Sequence, residues 1–303
     1  MLSRLKNKLT RYLDHVIEKS LKLYQQESAP NYFNSASFTQ AMLVNMYNEM
    51  RLRVKEGKPL PDITDSGFSI YSQFDEDGIM LYVFGVIGFT SRKFVDIGGG
   101  DGLFGNNSAN LINNFGFHGL FIDYNEDANR MGEEYYSKKM STFLYPPKFV
   151  IAKVNRDNIN SLIKDSGCEG EVDLLSIDID GNDYWIWDAI NVISPRVVVV
   201  ETHVEFGMNN IVVPYDADYF YPGEHPDYHG ASPVAMAKMA KRKGYRLVGN
   251  NRYGFNTFYV RNDIAPGLLP EIPVEQVLKH ERNKERAKLF EYIKNKKYVT
   301  VDQ

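Results

Sequence analysis

The stretch Phe94-Val95-Asp96-Ile97-Gly98-Gly99-Gly100-Asp101-Gly102 decides the fold, because it places four glycines directly after a run of strand-forming residues. Glycines at such a turn allow the chain to bend sharply and a ligand to approach the backbone. A strand that ends in a glycine-rich loop is typical of α/β proteins that bind nucleotides. The stretch therefore predicts a sheet with a ligand at the carboxyl end of this strand.

Short runs of β-branched and aromatic residues recur after this point, separated by longer helical stretches that are sufficient for crossover helices. They predict parallel strands over residues 93–97, 119–123, 149–154, 173–178 and 196–201. Two later runs, 245–248 and 257–260, are too close for a crossover and predict an antiparallel hairpin. The sequence thus predicts an α/β, Rossmann-like seven-stranded sheet, parallel except for a reversed strand in the terminal hairpin.

The segments on either side of this pattern are predicted to be helical. Apolar residues recur at helical spacing over residues 1–24 and from 36 to about 55, and a Gly and Pro stop signal follows. We expect a helical N-terminal extension over residues 1–60, a main domain over 61–265, and a C-terminal segment over 266–303 that holds a charged helix at 274–297. The extension is a plausible oligomer contact, so we expect a homo-oligomer formed through the N-terminal helices.

Composition excludes several classes of protein. The 35 basic residues are outnumbered by 39 acidic ones, which gives a formal net charge of −4 and argues against a nucleic-acid partner. The longest aliphatic run has four valines at 197–200, far short of a membrane-spanning helix. Cys168 is the only cysteine, which fits a reducing compartment and predicts a cytoplasmic location.

The glycine loop admits two readings of its ligand. Gly100-x-Gly102-x-x-Gly105, with Asp123 following, matches the dinucleotide fingerprint and leaves an NAD-dependent oxidoreductase as an alternative. The strand also carries Asp96, which would repel a pyrophosphate and suits the sulfonium and amino group of S-adenosylmethionine. Asp123 could then accept the ribose hydroxyls, with Tyr124 near the adenine.

Four motifs in order resemble a known family. The glycine loop followed by Phe121-Ile122-Asp123 looks like the first two motifs of class I S-adenosylmethionine-dependent methyltransferases. The stretch from Tyr71 to Gly78 and the stretch from Asp173 to Tyr184 resemble the FkbM-type branch, which includes O-methyltransferases acting on sugars and natural products. The resemblance covers roughly residues 66 to 262.

The resemblance implies roles for individual residues. Gln73, Gly98, Asn107 and Ser108 would line the methionine end of the cofactor, and Asn155 would lie at the adenine edge. This chain has Asn107-Ser108-Ala109 where the family often has Ser-Asn-Thr. Gly100 belongs to the same cofactor loop.

The candidates for chemistry lie at the ends of the fourth and fifth strands. Methyl transfer to a hydroxyl needs a base or a divalent metal to remove the proton. His203 and His229 are candidates for the base, and Asp178 for a catalytic carboxylate. Asp178 and Glu201 together suit Mg²⁺ or Mn²⁺, while a buried structural hydrogen bond is the alternative for each. We expect Asp180, Asn182 and Asp183 to cap the next helix.

An irregular, aromatic stretch from about 203 to 232 is predicted to cover the acceptor. Its tyrosines and acids suit a small-molecule or glycan hydroxyl, and a protein interface is the alternative. The sequence thus predicts an S-adenosylmethionine-dependent O-methyltransferase that works with or without a metal. A module that keeps the fold without catalysis, and serves binding or assembly, is a further alternative.

Overall fold

The computed structural model describes residues 37–302 of the 303-residue chain. The chain divides into two compact units, Met1–Met46 and Tyr47–Gln303. The domain boundaries predicted at residues 60 and 265 both lie inside the second unit. The predicted helix over residues 1–24 lies outside the described residues.

Nine strands occur within residues 37–302, and seven of them form the central sheet. The strands are β1 (Lys93–Ile97), β2 (His118–Asp123), β3 (Lys148–Ile151), β4 (Gly170–Ile177), β5 (Ile193–Glu201), β6 (Ile211–Val212), β7 (Tyr245–Asn250), β8 (Asn256–Arg261) and β9 (Val299–Thr300). Their order in the central sheet is β3-β2-β1-β4-β5-β8-β7. β1 to β5 are parallel, and β8 runs antiparallel to both β5 and β7. The predicted α/β fold, with its reversed hairpin strand, is confirmed.

The helices of the described chain include one after each of the first four strands. They are α1 (residues 37–56), α2 (Glu76–Ile87), α3 (Ala109–Phe115), α4 (Glu126–Lys138), α5 (Ile159–Asp165), α6 (Asp183–Ala189), α7 (Pro233–Arg242), α8 (Glu281–Arg286) and α9 (Phe290–Ile293). The helical period seen from residue 36 onward thus forms α1. Between residues 37 and 302, no helix has both the length and the apolar character that crossing a bilayer requires.

The core explains why β5 is a strand. Successive side chains of a strand point to opposite faces of the sheet. Val198 and Val200 join one buried cluster, whereas Val197 and Val199 join another. A strand buried on both faces consists of a continuous apolar run, and parallel sheets covered by helices on both sides produce such strands. The sheet is therefore the middle layer of the domain.

The strand order also determines where a ligand can bind. The neighbours of β1 are β2 on one side and β4 on the other. The chain therefore changes direction across the sheet at β1, and the carboxyl ends of β1 and β4 flank a crevice. Ligands of open α/β sheets bind at such a switch point.

The C-terminal segment differs from the prediction. A single helix was predicted over 274–297, but the chain there forms a 3-10 helix at Val274–Gln276, then α8, a second 3-10 helix at Ala287–Leu289, and α9. The break lies at His280, which has an extended backbone and whose side chain accepts a hydrogen bond from the amide of Arg282. An extended residue of this kind starts a new helix and cannot continue the preceding one. Beyond α9, β9 pairs with β6, a short strand inside the stretch predicted to be irregular.

Candidate active site

The glycine turn after β1 passes directly beside the end of β4. Gly98 has a φ of +84° and donates its amide hydrogen to the carbonyl of Ile122. A Cβ added at Gly98 would lie 1.7 Å from the carbonyl oxygen of Asp178. No residue with a side chain fits at that separation, so glycine is required at this position. The turn thereby brings the loops after β1 and β4 together.

A cavity of about 210 Å³ opens at this place. The loops after β1, β2, β3 and β4 form its floor and sides, and the stretch that follows β6 covers it. The residues that line it are Gly98, Gly100, Ile122, Asp123, Tyr124, Asn125, Ala152, Lys153, Val154, Asp178, Ile179, Asp180, Asn182, Tyr219, Phe220 and Tyr221. Among these described lining residues, three are acidic and only Lys153 is basic. Where these carboxyl groups are ionised, the cavity favours a ligand with positive charge over one with several negative charges.

Asp123 is held rigidly at the edge of this cavity. One carboxylate oxygen accepts a hydrogen bond from the amide of Gly100 at 2.9 Å, and the other accepts one from the amide of Asn125 at 2.7 Å. Gly100 has open space where a Cβ would be. The carboxylate of Asp123 is thus fixed beside the backbone of Gly100, which has no side chain to fill the cavity.

Aromatic side chains cover the same end of the cavity. Phe220 packs edge-on against Tyr124 with ring centroids 5.5 Å apart, and the ammonium of Lys153 lies 3.7 Å from the centre of the Phe220 ring. The covering role predicted for the irregular stretch falls to Tyr219, Phe220 and Tyr221 in the structure. Lys153 was not singled out in the sequence, and its position near the carboxyl end of the strand predicted over 149–154 is the signal that could have identified it.

Asp96 is not among the described residues that line the cavity. Its carboxylate is buried and accepts hydrogen bonds from the hydroxyl of Ser108 at 2.6 Å and the amide group of Asn106 at 3.2 Å. Burial raises the pKa of Asp96 to about 7, even though both hydrogen bonds act in the opposite direction. Asp96 and Ser108 thus anchor the segment that leads into α3, and neither reaches the cavity. The sequence assigned the selection of a cation to Asp96, but its carboxylate is buried and is not part of the cavity lining.

Three more residues of the predicted cofactor set lie away from the cavity. Gln73 lines a separate depression. The side chain of Asn107 is buried and donates to the hydroxyl of Ser176 at 3.3 Å. Asn155 accepts hydrogen bonds from the backbone of the turn that precedes α5, including the amide of Asn158. Of the predicted set, Gly98, Gly100, Asp123 and Tyr124 are the residues that the structure brings together around the cavity.

Carboxylates from two neighbouring strands meet on the other side of the cavity. Asp178 follows β4 and Glu201 ends β5, and these strands pair in parallel with Ile177 opposite Val200. Oxygen atoms of Asp178, Asp180 and Glu201 all lie within 4.8 Å of one another. Burial raises the pKa of Asp178 well above its usual range, and the charge of Glu201 adds to the effect. The prediction that these acids converge is confirmed by their positions.

The turn after β4 is held by Asp183. Its two carboxylate oxygens accept hydrogen bonds from the amides of Ile179 at 2.8 Å and Gly181 at 2.9 Å. Asp180 has a φ of +50° within this turn, and its side chain lines the cavity. The predicted capping is not what the structure shows: Asn182 occupies the N-cap position of α6 without a side-chain cap bond, and Asp183 holds the turn before the helix. Asp180 lies on the cavity wall.

His203 and His229 lie together next to Glu201. Their ring centroids are 3.9 Å apart, and both side chains are buried. Nε2 of His203 is 3.7 Å from Glu201, and Nδ1 is 3.6 Å from Glu205. Burial lowers the pKa of His203, but the two carboxylates outweigh it and raise the pKa to about 10. Burial and the charge of His203 lower the pKa of His229 to about 4.

Tight backbone contacts hold the histidine pair in place. A Cβ added at Gly230 would lie 2.3 Å from the His203 ring, so only glycine allows this approach. The amide of Gly230 donates to the carbonyl of Gly181, and the amide of His203 donates to the carbonyl of Ala231. The segment that carries His229 is thereby joined to the turn after β4 and to the end of β5. His203, His229, Asp178 and Glu201, all predicted from the sequence, form one cluster.

No protein-family model matches the chain, and neither does any curated protein. Some solved structures are similar to it at low identity. An O-methyltransferase family protein from Burkholderia thailandensis is 12% identical over 61% of this chain, with a TM-score of 0.36. This chain covers 58% of that protein, less than two thirds of its length.

Two further similar structures are covered over most of their length. An S-adenosylmethionine-dependent methyltransferase from Clostridium acetobutylicum is 12% identical, with 59% of this chain and 87% of that chain covered and a TM-score of 0.37. The methyltransferase domain of bacterial CtHen1-C is 14% identical, with 61% and 97% covered and a TM-score of 0.39.

Proposed function

We propose that the chain is an S-adenosylmethionine-dependent O-methyltransferase of the FkbM type that acts on a hydroxyl of a sugar, glycan or natural product. The observation that carries the proposal is the wall of the cavity, where Asp123, Asp178 and Asp180 face a single lysine. The order of four sequence motifs supports the same reading.

The charge of this wall favours the methyl donor over a dinucleotide. S-adenosylmethionine carries positive charge on its sulfonium and amino groups, whereas NAD carries a pyrophosphate with two negative charges. At close range in a partly buried site, like charges repel by several kcal/mol, of the order of 4 kcal/mol at 4 Å. The amide of Gly100, which a dinucleotide would need for its phosphates, already donates to Asp123. Asp123 is positioned to accept the ribose hydroxyls.

Methyl transfer joins an acceptor oxygen to the methyl carbon as the bond from that carbon to sulfur breaks. The bonding electrons stay on the sulfur, which leaves as the neutral thioether of S-adenosylhomocysteine. The acceptor hydroxyl must also lose its proton. Asp178 and Asp180 line the cavity beside the glycine turn, so we assign the proton to one of these carboxylates.

A divalent metal at the carboxylate edge is the alternative to a carboxylate base, with Asp178 and Asp180 then acting as ligands. The oxygen atoms of Asp178, Asp180 and Glu201 are close enough together to share one ion, and such oxygens suit Mg²⁺ or Mn²⁺. An ion there would supply positive charge that makes the acceptor hydroxyl more acidic. Tyr219, Phe220 and Tyr221 would enclose the acceptor, and their rings and hydroxyls suit a polar, hydroxyl-rich molecule.

Calorimetric titration with S-adenosylhomocysteine tests the proposal. The full chain should bind one equivalent, and Asp123→Ala should weaken binding about 10-fold or more, because hydrogen bonds to a charged group contribute about 1.5–3 kcal/mol. Glu133→Ala removes an exposed carboxylate from α4 and should bind as the unaltered protein does. Failure of the unaltered protein to bind, or binding of NADH in the same cavity, would contradict the proposal.

A further inference from the structure

Four buried polar atoms of the histidine cluster have no hydrogen-bond partner among the described residues, and one of them is Oε2 of Glu205. The other three converge on one point, and they are Oε2 of Glu201, Nε2 of His203 and Nδ1 of His229. His203 is 7% exposed and His229 is 4% exposed, so solvent does not satisfy them. An unpaired buried polar atom costs about 1–3 kcal/mol, and three at one point call for a shared partner.

The distances within the cluster fit an ion better than a hydrogen bond. Glu201, His203 and His229 each offer a ligand atom, and these atoms lie within 4.8 Å of one another. The 3.7 Å between Glu201 and Nε2 of His203 is too long for a hydrogen bond and too short for a water between them. Ligand atoms about 2.1 Å from one ion lie roughly 3 to 3.5 Å apart. Glu201 and Nε2 of His203 would therefore approach each other by a few tenths of an ångström, and the ring of His229 would adjust from a separation of at most 4.8 Å.

His203 has a carboxylate near its second ring nitrogen, as metal-binding histidines do, but at 3.6 Å this carboxylate lies slightly beyond hydrogen-bond distance. Such a histidine usually donates the hydrogen of its second ring nitrogen to a carboxylate, which fixes the ring and directs the other nitrogen at the metal. Glu205 lies 3.6 Å from Nδ1 of His203, and Glu205 is itself ion-paired with Arg286. Nε2 is therefore the nitrogen left facing Glu201.

We propose that Glu201, His203 and His229 bind a divalent transition-metal ion. Two imidazole nitrogens and one carboxylate favour Zn²⁺, Co²⁺, Fe²⁺ or Mn²⁺, whereas Mg²⁺ prefers oxygen ligands alone. The ion expected from the sequence was Mg²⁺ or Mn²⁺ on Asp178 and Glu201, and the nitrogen donors shift the preference toward the transition metals. As ligands, His203 and His229 give up the role of general base that the sequence suggested.

Glu201 connects this site to the cavity. Its carboxylate belongs both to the histidine cluster and to the group that includes Asp178 and Asp180, which line the cavity. An ion on the histidine side would therefore be adjacent to the place assigned to the acceptor hydroxyl. That catalytic use of the ion rests on the proposed function, whereas its binding does not.

The competing arrangement has no metal. In it, a protonated His203 lies between the carboxylates of Glu201 and Glu205, and Nδ1 of His229 stays unpaired. The two arrangements differ in what happens when a metal is offered, because only the first takes up one ion per chain and depends on His229.

Titration of the metal-free full chain with Co²⁺ and with Mg²⁺ tests the proposal. Binding is followed by calorimetry and by the visible absorption of Co²⁺, which changes when imidazole replaces water. We expect one Co²⁺ per chain, bound about 100-fold more tightly than Mg²⁺. His229→Gln and Glu201→Gln should each weaken Co²⁺ binding by at least about 10-fold, since even outer contacts of metal sites contribute 10- to 100-fold.

His118 is the first residue of β2, at the end of the strand away from the cavity. His118→Gln is therefore the matched control and should bind Co²⁺ normally. No Co²⁺ binding by the unaltered chain, or equal binding by both altered ligand variants and the control, would overturn the proposal. Circular dichroism and urea unfolding of the same variants show whether they are folded, and calorimetry with S-adenosylhomocysteine is run separately. Cobalt binding without S-adenosylhomocysteine binding would leave the metal site standing and remove the proposed function.

Discussion

The two sides of the cavity differ in how completely their polar groups are paired. On the side of β1 and β2, both carboxylate oxygens of Asp123 accept backbone hydrogen bonds, and Asp96 accepts two from side chains. On the side of β4 and β5, Glu201, His203 and His229 each keep a buried atom without a partner in the described chain. On the first side these carboxylates have hydrogen-bond partners without a ligand. On the second side, the unpaired atoms would gain partners if a ligand bound.

This difference indicates that the paired groups hold the binding surface in shape, whereas the unpaired groups serve binding or catalysis. Side chains with all their partners hold a backbone in one conformation, which preorganises a binding surface. Side chains left unpaired in a buried place reduce stability, and they are retained where function requires them. We therefore expect changes on the first side to affect folding and cofactor binding together, and changes on the second side to affect reactivity or metal binding with little loss of stability.

The largest effect is expected from Gly98→Ala, because the added carbon would meet the carbonyl of Asp178 and force the two loops apart. S-adenosylhomocysteine binding should fall by about 100-fold or more, and unfolding should become easier by about 3 kcal/mol. Gly116→Ala is the matched control, since Gly116 also has a positive φ but open space around the added carbon. Calorimetry and urea unfolding measure both quantities. Equal behaviour of the two variants would show that the close approach at Gly98 is unimportant.

The burial of Asp96 predicts a pH dependence of stability. Its pKa is about 7 in the folded protein, above the usual value, so the folded state binds this proton more tightly than the unfolded state does. The stabilisation is therefore complete below about pH 4 and is lost as the pH rises toward 7. The buried neighbours are Ser108 and Asn106, and Asp123 is the nearby charge that contributes.

Asp96→Asn should remove this dependence, which amounts to about 1–3 kcal/mol between pH 5 and pH 8. Urea unfolding at the two pH values measures it, with Glu133→Gln on the exposed surface as the control. If the variant retained the full pH dependence of the unaltered chain, another group would be responsible.

A moderate effect on the second side is expected from Glu205→Gln. Glu205 is placed to hold the ring of His203 through Nδ1, so the amide should weaken this contact without removing a metal ligand. Co²⁺ affinity should fall about 10-fold. Glu285→Gln, on the exposed end of α8, should leave the affinity unchanged. Unchanged affinity in Glu205→Gln would mean that His203 does not need this carboxylate.

The smallest effect is expected from Phe220→Ala. The ring contacts Lys153 and Tyr124 at the edge of the cavity, and cation–π contacts contribute about 0.5–1 kcal/mol at exposed positions. S-adenosylhomocysteine binding should therefore weaken about three-fold. Phe104→Ala, which removes a largely exposed ring outside the cavity, provides the comparison. Tighter binding after Phe220→Ala would indicate that the ring obstructs the cavity.

The sequence predicted most of the strands because their signals are local. The valines at 197–200 and the glycines after Ile97 each indicate a structure within a few residues, and the parallel order then places the ends of β4 and β5 together. Asp178 and Glu201 could be paired on that basis alone. The histidines were found because one follows β5 and the other lies in the long loop.

The remaining features depend on contacts between residues far apart in the chain. The sequence alone does not distinguish Asp96 and Asn107 from residues that line the cavity, because their burial depends on how α3 packs against the sheet. The contact of Arg286 with Glu205 joins positions 81 residues apart, and nothing near either residue indicates it. The division of the C-terminal helix depends on the extended backbone of His280, which a helical spacing of apolar residues does not reveal.

A crystal structure of the protein soaked with S-adenosylmethionine is the most direct test of whether the cavity binds the methyl donor. We expect adenosyl density in the cavity beneath Phe220. The ribose hydroxyls should donate hydrogen bonds to Asp123, and the methyl group should point toward Asp178 and Asp180. Binding of S-adenosylmethionine in this cavity would be contradicted if no adenosyl density appeared there at saturating concentration. It would also be contradicted if a dinucleotide bound there with its pyrophosphate on the glycine turn.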